Sequence, residues 1–229
     1  MAMIVDNIQE VSARIARACD AAGRPVSSVT LLAVSKTQRP DAVREALDGG
    51  QKRFGENYVQ EALDKIAALA DRRAELEWHL IGPLQSNKTR VVAESFDWVH
   101  TIDRLKLAER LSAQRPAGLP PLQVCLQVNI SGEASKSGVA PDDLPALARA
   151  VAALPRLTLR GLMAIPEPAA DLAAQRQPHR ALRERLEALR AEGLALDTLS
   201  MGMSADLEAA VLEGATIVRV GTAIFGARG

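Results

Sequence analysis

Two hydrophobic periodicities alternate along the chain. Short apolar runs rich in β-branched and aliphatic residues recur at 30–35, 52–55, 77–81, 98–101, 123–129, 159–163, 198–201 and 216–220, and they read as strands. Between them, apolar residues fall three or four apart in "PDAVREALDGG", "ENYVQEALDKIAALADRRA", "DRLKLAERLSAQ", "PDDLPALARAVAAL", "RALRERLEALRAEG" and "SADLEAAVLEG". Several of these open on Pro, Asp or Ser and finish near Gly, which is helix start and stop chemistry. Ile4, Ile8, Val11, Ile15 and Ala18 share one face of a further helix ahead of the first strand.

Eight strands alternating with helices predict a parallel sheet, and the count of eight favours closure. The expected fold is therefore a single α/β domain over residues 1–229, a (β/α)8 TIM-type barrel with an extra N-terminal helix. An open doubly wound sheet is the competing reading. It would usually place a glycine-rich phosphate loop after the first strand, and "SKTQRP" contains no glycine. "SAQRPAGLPP" reads as an ordinary loop rather than a linker between domains.

Charge and composition narrow the partners. Lys+Arg 28 against Asp+Glu 28 leaves no basic footprint for nucleic acid or an anionic membrane. No run approaches the ~18 apolar residues of a membrane span, and the acidic start does not read as a secretory signal. Cys19 and Cys125 stand alone in different elements, so both are expected to stay reduced in a cytoplasm. Aromatics make up only 3%, so aliphatic side chains must fill the core.

Chemistry in such barrels gathers at the carboxyl ends of the strands, with phosphate often held by the last two loops. Strand one ends at Lys36, where a solvated surface lysine is not what a core strand needs. "LSMGMSADLEAA" sets Ser200, Gly202 and Ser204 ahead of a helix, and "RVGTAIFG" sets Gly221 and Thr222 after strand eight. Hydroxyls, unpaired backbone N–H groups and small residues there suit a phosphate, although a helix cap at Ser204 and a tight turn at Gly221 explain the same residues separately. Lys36 faces this cup across the barrel mouth, so an aldehyde carrying a phosphate would bridge the two. Pyridoxal 5'-phosphate is the cofactor that fits. Arg219, one step inside strand eight, pairs either with a carboxylate or with the pyridine nitrogen. A guanidinium donates and never accepts, so that nitrogen would stay unprotonated and the ring would be a weak electron sink.

"AVSKTQ", "FGENYVQEA", "WHLIGPLQSNK", "LQVNISGEASKSG", "LRGLMAI", "LSMGMSADLEAA" and "RVGTAIFG", in this order, closely resemble the pyridoxal phosphate homeostasis protein family, single-domain relatives of the alanine racemase N-terminal barrel. The resemblance extends over essentially the whole chain. It implies Lys36 as the Schiff-base lysine, Ser204, Gly221 and Thr222 as phosphate contacts, and Arg219 as the ring-nitrogen partner. It also sets Asn57, His79 and Ser200 in the same pocket, and Lys136 near its mouth.

The resemblance further implies a protein that holds the cofactor and takes part in its intracellular balance, supplying pyridoxal phosphate-dependent apo-enzymes. A two-base racemase needs a second acid/base opposite the lysine, which in alanine racemase comes from an additional domain. Here the chain ends after "IFGARG", and its only tyrosine, Tyr58, is expected to pack at a helix start. The chain is thus expected to be a monomeric carrier with no catalytic residues. A weak racemase-like enzyme and a cofactor-free Schiff-base aldolase are the alternatives. His79 either orients the cofactor or sits satisfied in the core. His100 and His179 lack ligand-like spacing, so no metal site is expected.

Overall fold

A computed structural model describes residues 2–132 and 137–226; Lys136 lies outside them. All eight expected strands form: β1 Thr30–Val34, β2 Arg53–Glu56, β3 Glu77–Leu80, β4 Trp98–Ile102, β5 Leu122–Gln127, β6 Leu157–Met163, β7 Thr198–Ser200 and β8 Ile217–Val220. They pair in parallel in chain order, and β8 returns to β1 with Leu32 opposite Arg219. The barrel is closed, which excludes the open sheet.

Helices α1 Ala2–Ala21, α2 Pro40–Asp48, α3 Val59–Ala68, α4 Thr89–Ser95, α5 Leu105–Gln114, α6 Leu144–Ala152, α7 Leu172–Ala191, α8 Leu207–Leu212 and α9 Thr222–Phe225 surround the barrel. Two helical patterns resolve differently from the sequence reading. The long stretch after β2 stops at Ala68 and tightens into a 3-10 turn, Ala70–Glu75. There Arg73 is drawn to the carbonyl of Leu76 and the carboxylate of Asp97. Helix α7 begins well before the arginine-rich segment and runs through Pro178. Asp171 caps it by accepting from the N–H of Ala174 at 2.8 Å.

Alternation along the strands creates two different interiors. Outward residues such as Ala33, Phe54, Trp78, Val99, Leu126, Leu162 and Val218 merge with helix residues including Val43, Leu107, Leu182 and Val211 into one continuous core. Each fully buried aliphatic side chain there contributes about 1.5–3 kcal/mol. Inside the barrel, Leu32, Val34, Ile81, Trp98, Cys125, Met163 and Ile217 form a separate cluster. Burial there pushes the Cys125 thiol up to about 12, so it is an inert apolar filler. The remaining inward side chains include His79, His100, Ser200 and Arg219, all buried. Buried polar groups are tolerated only when hydrogen-bonded, so this lumen must contain a satisfied network.

Helix α1 does more than cover the barrel. Its Asn7 donates to the carbonyl of Ile224 at 2.8 Å, and its Arg14 reaches Glu208 and the carbonyl of Ser204. The first helix therefore braces the two loops that follow β7 and β8. Among the described residues no helix is long and apolar enough to cross a membrane, and no cluster of His, Cys, Asp and Glu has the makings of a metal site.

Candidate functional site

A cavity of about 390 Å³ opens at the carboxyl ends of the strands. Lys36, Asn57, Ser204, Arg219, Gly221 and Thr222 line it, with Val34, Ile81 and Ile165 supplying apolar wall. Six of the eight expected residues thus meet at one place. The other two do not reach it. Ser200 lies one layer below, where its hydroxyl accepts from Arg219 at 2.7 Å, and His79 is deeper still, fully buried and stacked on Trp98. The physical reason is register: His79 and Ser200 point into the lumen from positions too far below the barrel mouth.

Lys36 follows β1 through Ser35 and is half-buried. A buried charge cluster holds this turn. The ammonium of Lys65 on α3 donates to the Ser35 carbonyl at 2.6 Å, to Glu56 at 2.8 Å and to Glu61 at 2.6 Å. Glu61 in turn accepts from the N–H of Thr37, a non-glycine residue at φ 65°. That left-handed conformation is unfavourable for threonine and persists because Glu61 and Lys65 pin both sides of Lys36. Burial pushes the Glu56 carboxyl up, against the opposing pull of Lys65 and of the Ser35 hydroxyl.

The far side of the cavity is a turn, not the helix cap that the alternative reading of Ser204 supposed. Helix α8 begins only at Leu207, and residues 204–206 form the turn before it. No hydrogen bond from the N–H groups of Ser204 or Ala205 occurs among the described residues. The first turn of α9 likewise leaves the N–H of Thr222 without a helical acceptor. Gly221 sits where a Cβ would lie 3.0 Å from the carbonyl of Val34, so a side chain there would crowd the rim.

Asp206 holds the turn closed. One carboxylate oxygen accepts from the N–H of Met203 at 2.7 Å and the other from His179 of α7 at 2.9 Å. Burial pushes the Asp206 carboxyl up, but these two bonds outweigh it and hold the group below the usual carboxylate range. Asp206→Ala is expected to cost about 1.5–3 kcal/mol in urea unfolding, the range for hydrogen bonds to a charged group. Because the folded pKa is the lower one, this stabilisation is present above about pH 4 and is lost as pH falls through the folded value. The gap between wild type and variant is expected to shrink correspondingly in acid, as equilibrium unfolding at several pH values will show.

Arg219 forms the cavity floor. Its guanidinium donates to Ser200 and, at 2.9 Å, to the carbonyl of Ala164. Burial brings its pKa down to about 10, still charged at neutral pH. No carboxylate lies within ion-pairing distance of it among the described residues, so the carboxylate partner that one reading of the sequence expected is absent there. Beside it the Oδ1 of Asn57 is buried without a hydrogen-bond partner. Asn57 is brought in by Gly82, where a Cβ would lie 2.0 Å from the Asn57 carbonyl oxygen. An amine and, among the described residues, a charged donor without an ion-paired carboxylate, an orphaned amide oxygen and unpaired backbone N–H groups fit a phosphorylated aldehyde with a ring nitrogen.

Sequence reasoning missed Lys65, Glu61, Asp206 and the role of His179, all of which act through side-chain contacts between elements distant in sequence. Only the spacing of Glu61 and Lys65, one helical turn apart, left a signal. Tyr58 departs from expectation in another way. It is 58% exposed and lies outside the cavity lining, because it occupies the extended residue before α3 rather than the helix's inner face.

Comparison with known proteins places this geometry among relatives. The family profile described as "Alanine racemase, N-terminal domain" matches residues 7–229. A pyridoxal phosphate homeostasis protein of Pseudomonas aeruginosa is 66% identical, the match covering all of this chain and 97% of that one. Its counterpart in Escherichia coli is 54% identical over 98% of this chain and 97% of its own. PipY of Synechococcus elongatus, solved with PLP bound, superposes with a TM-score of 0.85 at 38% identity, covering 97% of this chain and all of that one. Alanine racemase of Corynebacterium glutamicum, at 18% identity and TM-score 0.72, shares the fold over 61% of its length.

Proposed function

The chain belongs to the pyridoxal phosphate homeostasis protein family, and on that premise we propose that it binds pyridoxal 5'-phosphate in the cavity at the barrel mouth and takes part in keeping that cofactor in balance in the cell. When bound, the cofactor supplies an aldehyde that condenses reversibly with amines. Lys36 supplies the amine for a Schiff base, a C=N bond formed with loss of one water. Ser204, Ala205, Gly221 and Thr222 receive the phosphate through backbone N–H groups and hydroxyls. Arg219 donates to the ring nitrogen, and Asn57 accepts from a ring substituent.

The observation that carries this reading is the buried guanidinium of Arg219, without an ion-paired carboxylate among the described residues, sharing one cavity with the Lys36 amine. Holding rather than turnover is supported by the lining itself. Among the described residues around the cavity, Lys36 is the one ordinary proton-transfer group, with no His, Cys, Tyr, Asp or Glu beside it. The chain works as a monomer in the cytoplasm, where its two free cysteines stay reduced, and hands the cofactor to apo-enzymes that bind it more tightly.

The test is reconstitution with pyridoxal 5'-phosphate, borohydride reduction and peptide mapping. A visible absorption band and a reduced adduct on Lys36 are expected. A colourless protein, or an adduct on another lysine, would overturn the assignment. The match to the racemase domain motivates a second reading, a weak racemase. Incubation of the loaded protein with L-amino acids in deuterated water separates the two, since rapid exchange at Cα would favour the enzyme.

A further inference from the structure

From the floor of the cavity a single file of hydrogen bonds descends through the barrel. Arg219 donates from Nη1 to Ser200 Oγ at 2.7 Å. Ser200 Oγ lies 2.7 Å from His100 Nδ1, His100 Nε2 lies 2.8 Å from His79 Nδ1, and His79 Nε2 lies 2.8 Å from Glu77 Oε1. Ser200, His100 and His79 are fully buried. Glu77 emerges in a second cavity, of about 500 Å³, at the amino-terminal mouth, where Arg53 also reaches it at 3.3 Å.

We infer that Glu77, His79, His100 and Ser200 are positioning residues for Arg219, joined in a chain whose hydrogen bonds all run one way, from the guanidinium at the cavity floor to the carboxylate at the opposite end. The direction follows from donor chemistry. Arginine has only donors, so Ser200 must accept at that end and spend its single hydrogen on His100 Nδ1. His100 then carries its hydrogen on Nε2 and gives it to His79 Nδ1. His79 likewise carries its hydrogen on Nε2 and gives it to Glu77, an ionised acceptor. Every group is satisfied with both imidazoles neutral.

The opposite polarity fails this accounting. It requires His79 to give its Nδ1 hydrogen to His100, with either His79 an imidazolium or Glu77 protonated and donating. His100 then carries its hydrogen on Nδ1, so that Ser200 accepts twice and its own hydrogen has no acceptor in a dry interior. Burial also pushes His79 below its ordinary pKa and His100 well below, which favours the neutral forms. The hydrogen bond from His79 holds the Glu77 carboxyl below the usual carboxylate range.

Two consequences follow for the site. Two of the guanidinium nitrogens are committed to Ser200 and Ala164, which fixes its plane and leaves its other N–H donors for the contents of the cavity. The guanidinium is also linked to a carboxylate beyond its direct reach. The field of Asp206 favours its charged form, and the chain joins it to Glu77 at the far end of the barrel through three neutral residues that polarise one another.

The chain can be read without any cofactor, by NMR of protein labelled with ¹⁵N in the histidine rings. Both His79 and His100 are expected as neutral rings carrying hydrogen on Nε2. Glu77→Leu is expected to shift the tautomer populations of His100, two links away, whereas Glu77→Gln restores an acceptor and returns them towards wild type. Ser200→Ala is expected to perturb the same ring from the other side. A purely local structural role for Glu77 would leave His100 unmoved. An imidazolium at His79, an Nδ1–H tautomer at His100 in the wild type, or a His100 signal indifferent to Glu77→Leu would overturn the inference.

The functional consequence rests on the reading of Arg219 as the ring-nitrogen partner. Affinity for pyridoxal 5'-phosphate is expected to fall severalfold in Glu77→Leu and to recover in Glu77→Gln. The two ideas fail separately: a protein with the predicted tautomers that binds no cofactor sinks the proposed function alone, and tight binding with the wrong tautomers sinks the chain alone.

Discussion

Lys36→Ala is expected to abolish the visible band of the cofactor-loaded protein and every borohydride-stable adduct at the barrel mouth. The cup formed by Ser204, Gly221 and Thr222 and the floor formed by Arg219 remain in the variant, since neither depends on the lysine side chain. Binding should therefore weaken without vanishing, on the order of 100-fold, which corresponds to about 2.8 kcal/mol. Equilibrium dialysis measures the loss, and the absorption spectrum reports its covalent part. Retention of the band in Lys36→Ala would transfer the amine's role to another lysine and leave the strand-one position without a function.

The second large effect is on folding. Lys65 is 2% exposed and neutralises Glu56, which is fully buried. Removing one member of such a pair strands the other, so Lys65→Met is expected to cost about 3–5 kcal/mol near neutral pH. The sign of its pH dependence follows from Glu56. With the ammonium gone only burial acts strongly on that carboxyl, raising its folded pKa further above the unfolded value near 4.3. The penalty is then full above the folded pKa and disappears as pH falls towards the unfolded one. Chemical denaturation at several pH values should show the variant approaching wild type in acid. Adding Glu56→Gln should restore more than half of the lost stability at neutral pH. The same variant frees the Ser35 carbonyl and Glu61, so Lys36 loses its brace, and slower Schiff-base formation is the expected side effect.

The two lysines contrast in how legible they were. Lys36 could be recognised because a cation at the end of an apolar strand is locally anomalous, and the glycine-free loop after it argued against a dinucleotide fold. Lys65 reads as an ordinary solvated position on an amphipathic helix. Its burial depends on where β1 and β2 place Ser35 and Glu56, which no local pattern encodes. Asp206 and His179 show the same limit. They are 27 residues apart and meet at 2.9 Å only because α7 packs beside α8.

His79 and Ser200 mark a finer boundary. Ser200 was read as a pocket residue and His79 as either a pocket or a satisfied core residue, but the depth of a side chain below the mouth depends on strand stagger, which alternation leaves free. A motif match brought them into the pocket; the register puts them beneath it, as links in the chain that ends on Arg219.

By itself the sequence determined the eight-stranded alternation, the closed barrel, the rim that carries the chemistry, and six residues of the cavity. Periodicity and strand-end position are local properties, and a repeated β/α unit has few ways to close. Only the tertiary structure decided which charges are buried together and how the phosphate-side turn is held. It also decided that a file of hydrogen-bonded side chains connects Glu77 at one mouth to Arg219 at the other. Those outcomes depend on distances between residues far apart in the chain, and such distances exist only once the barrel has closed.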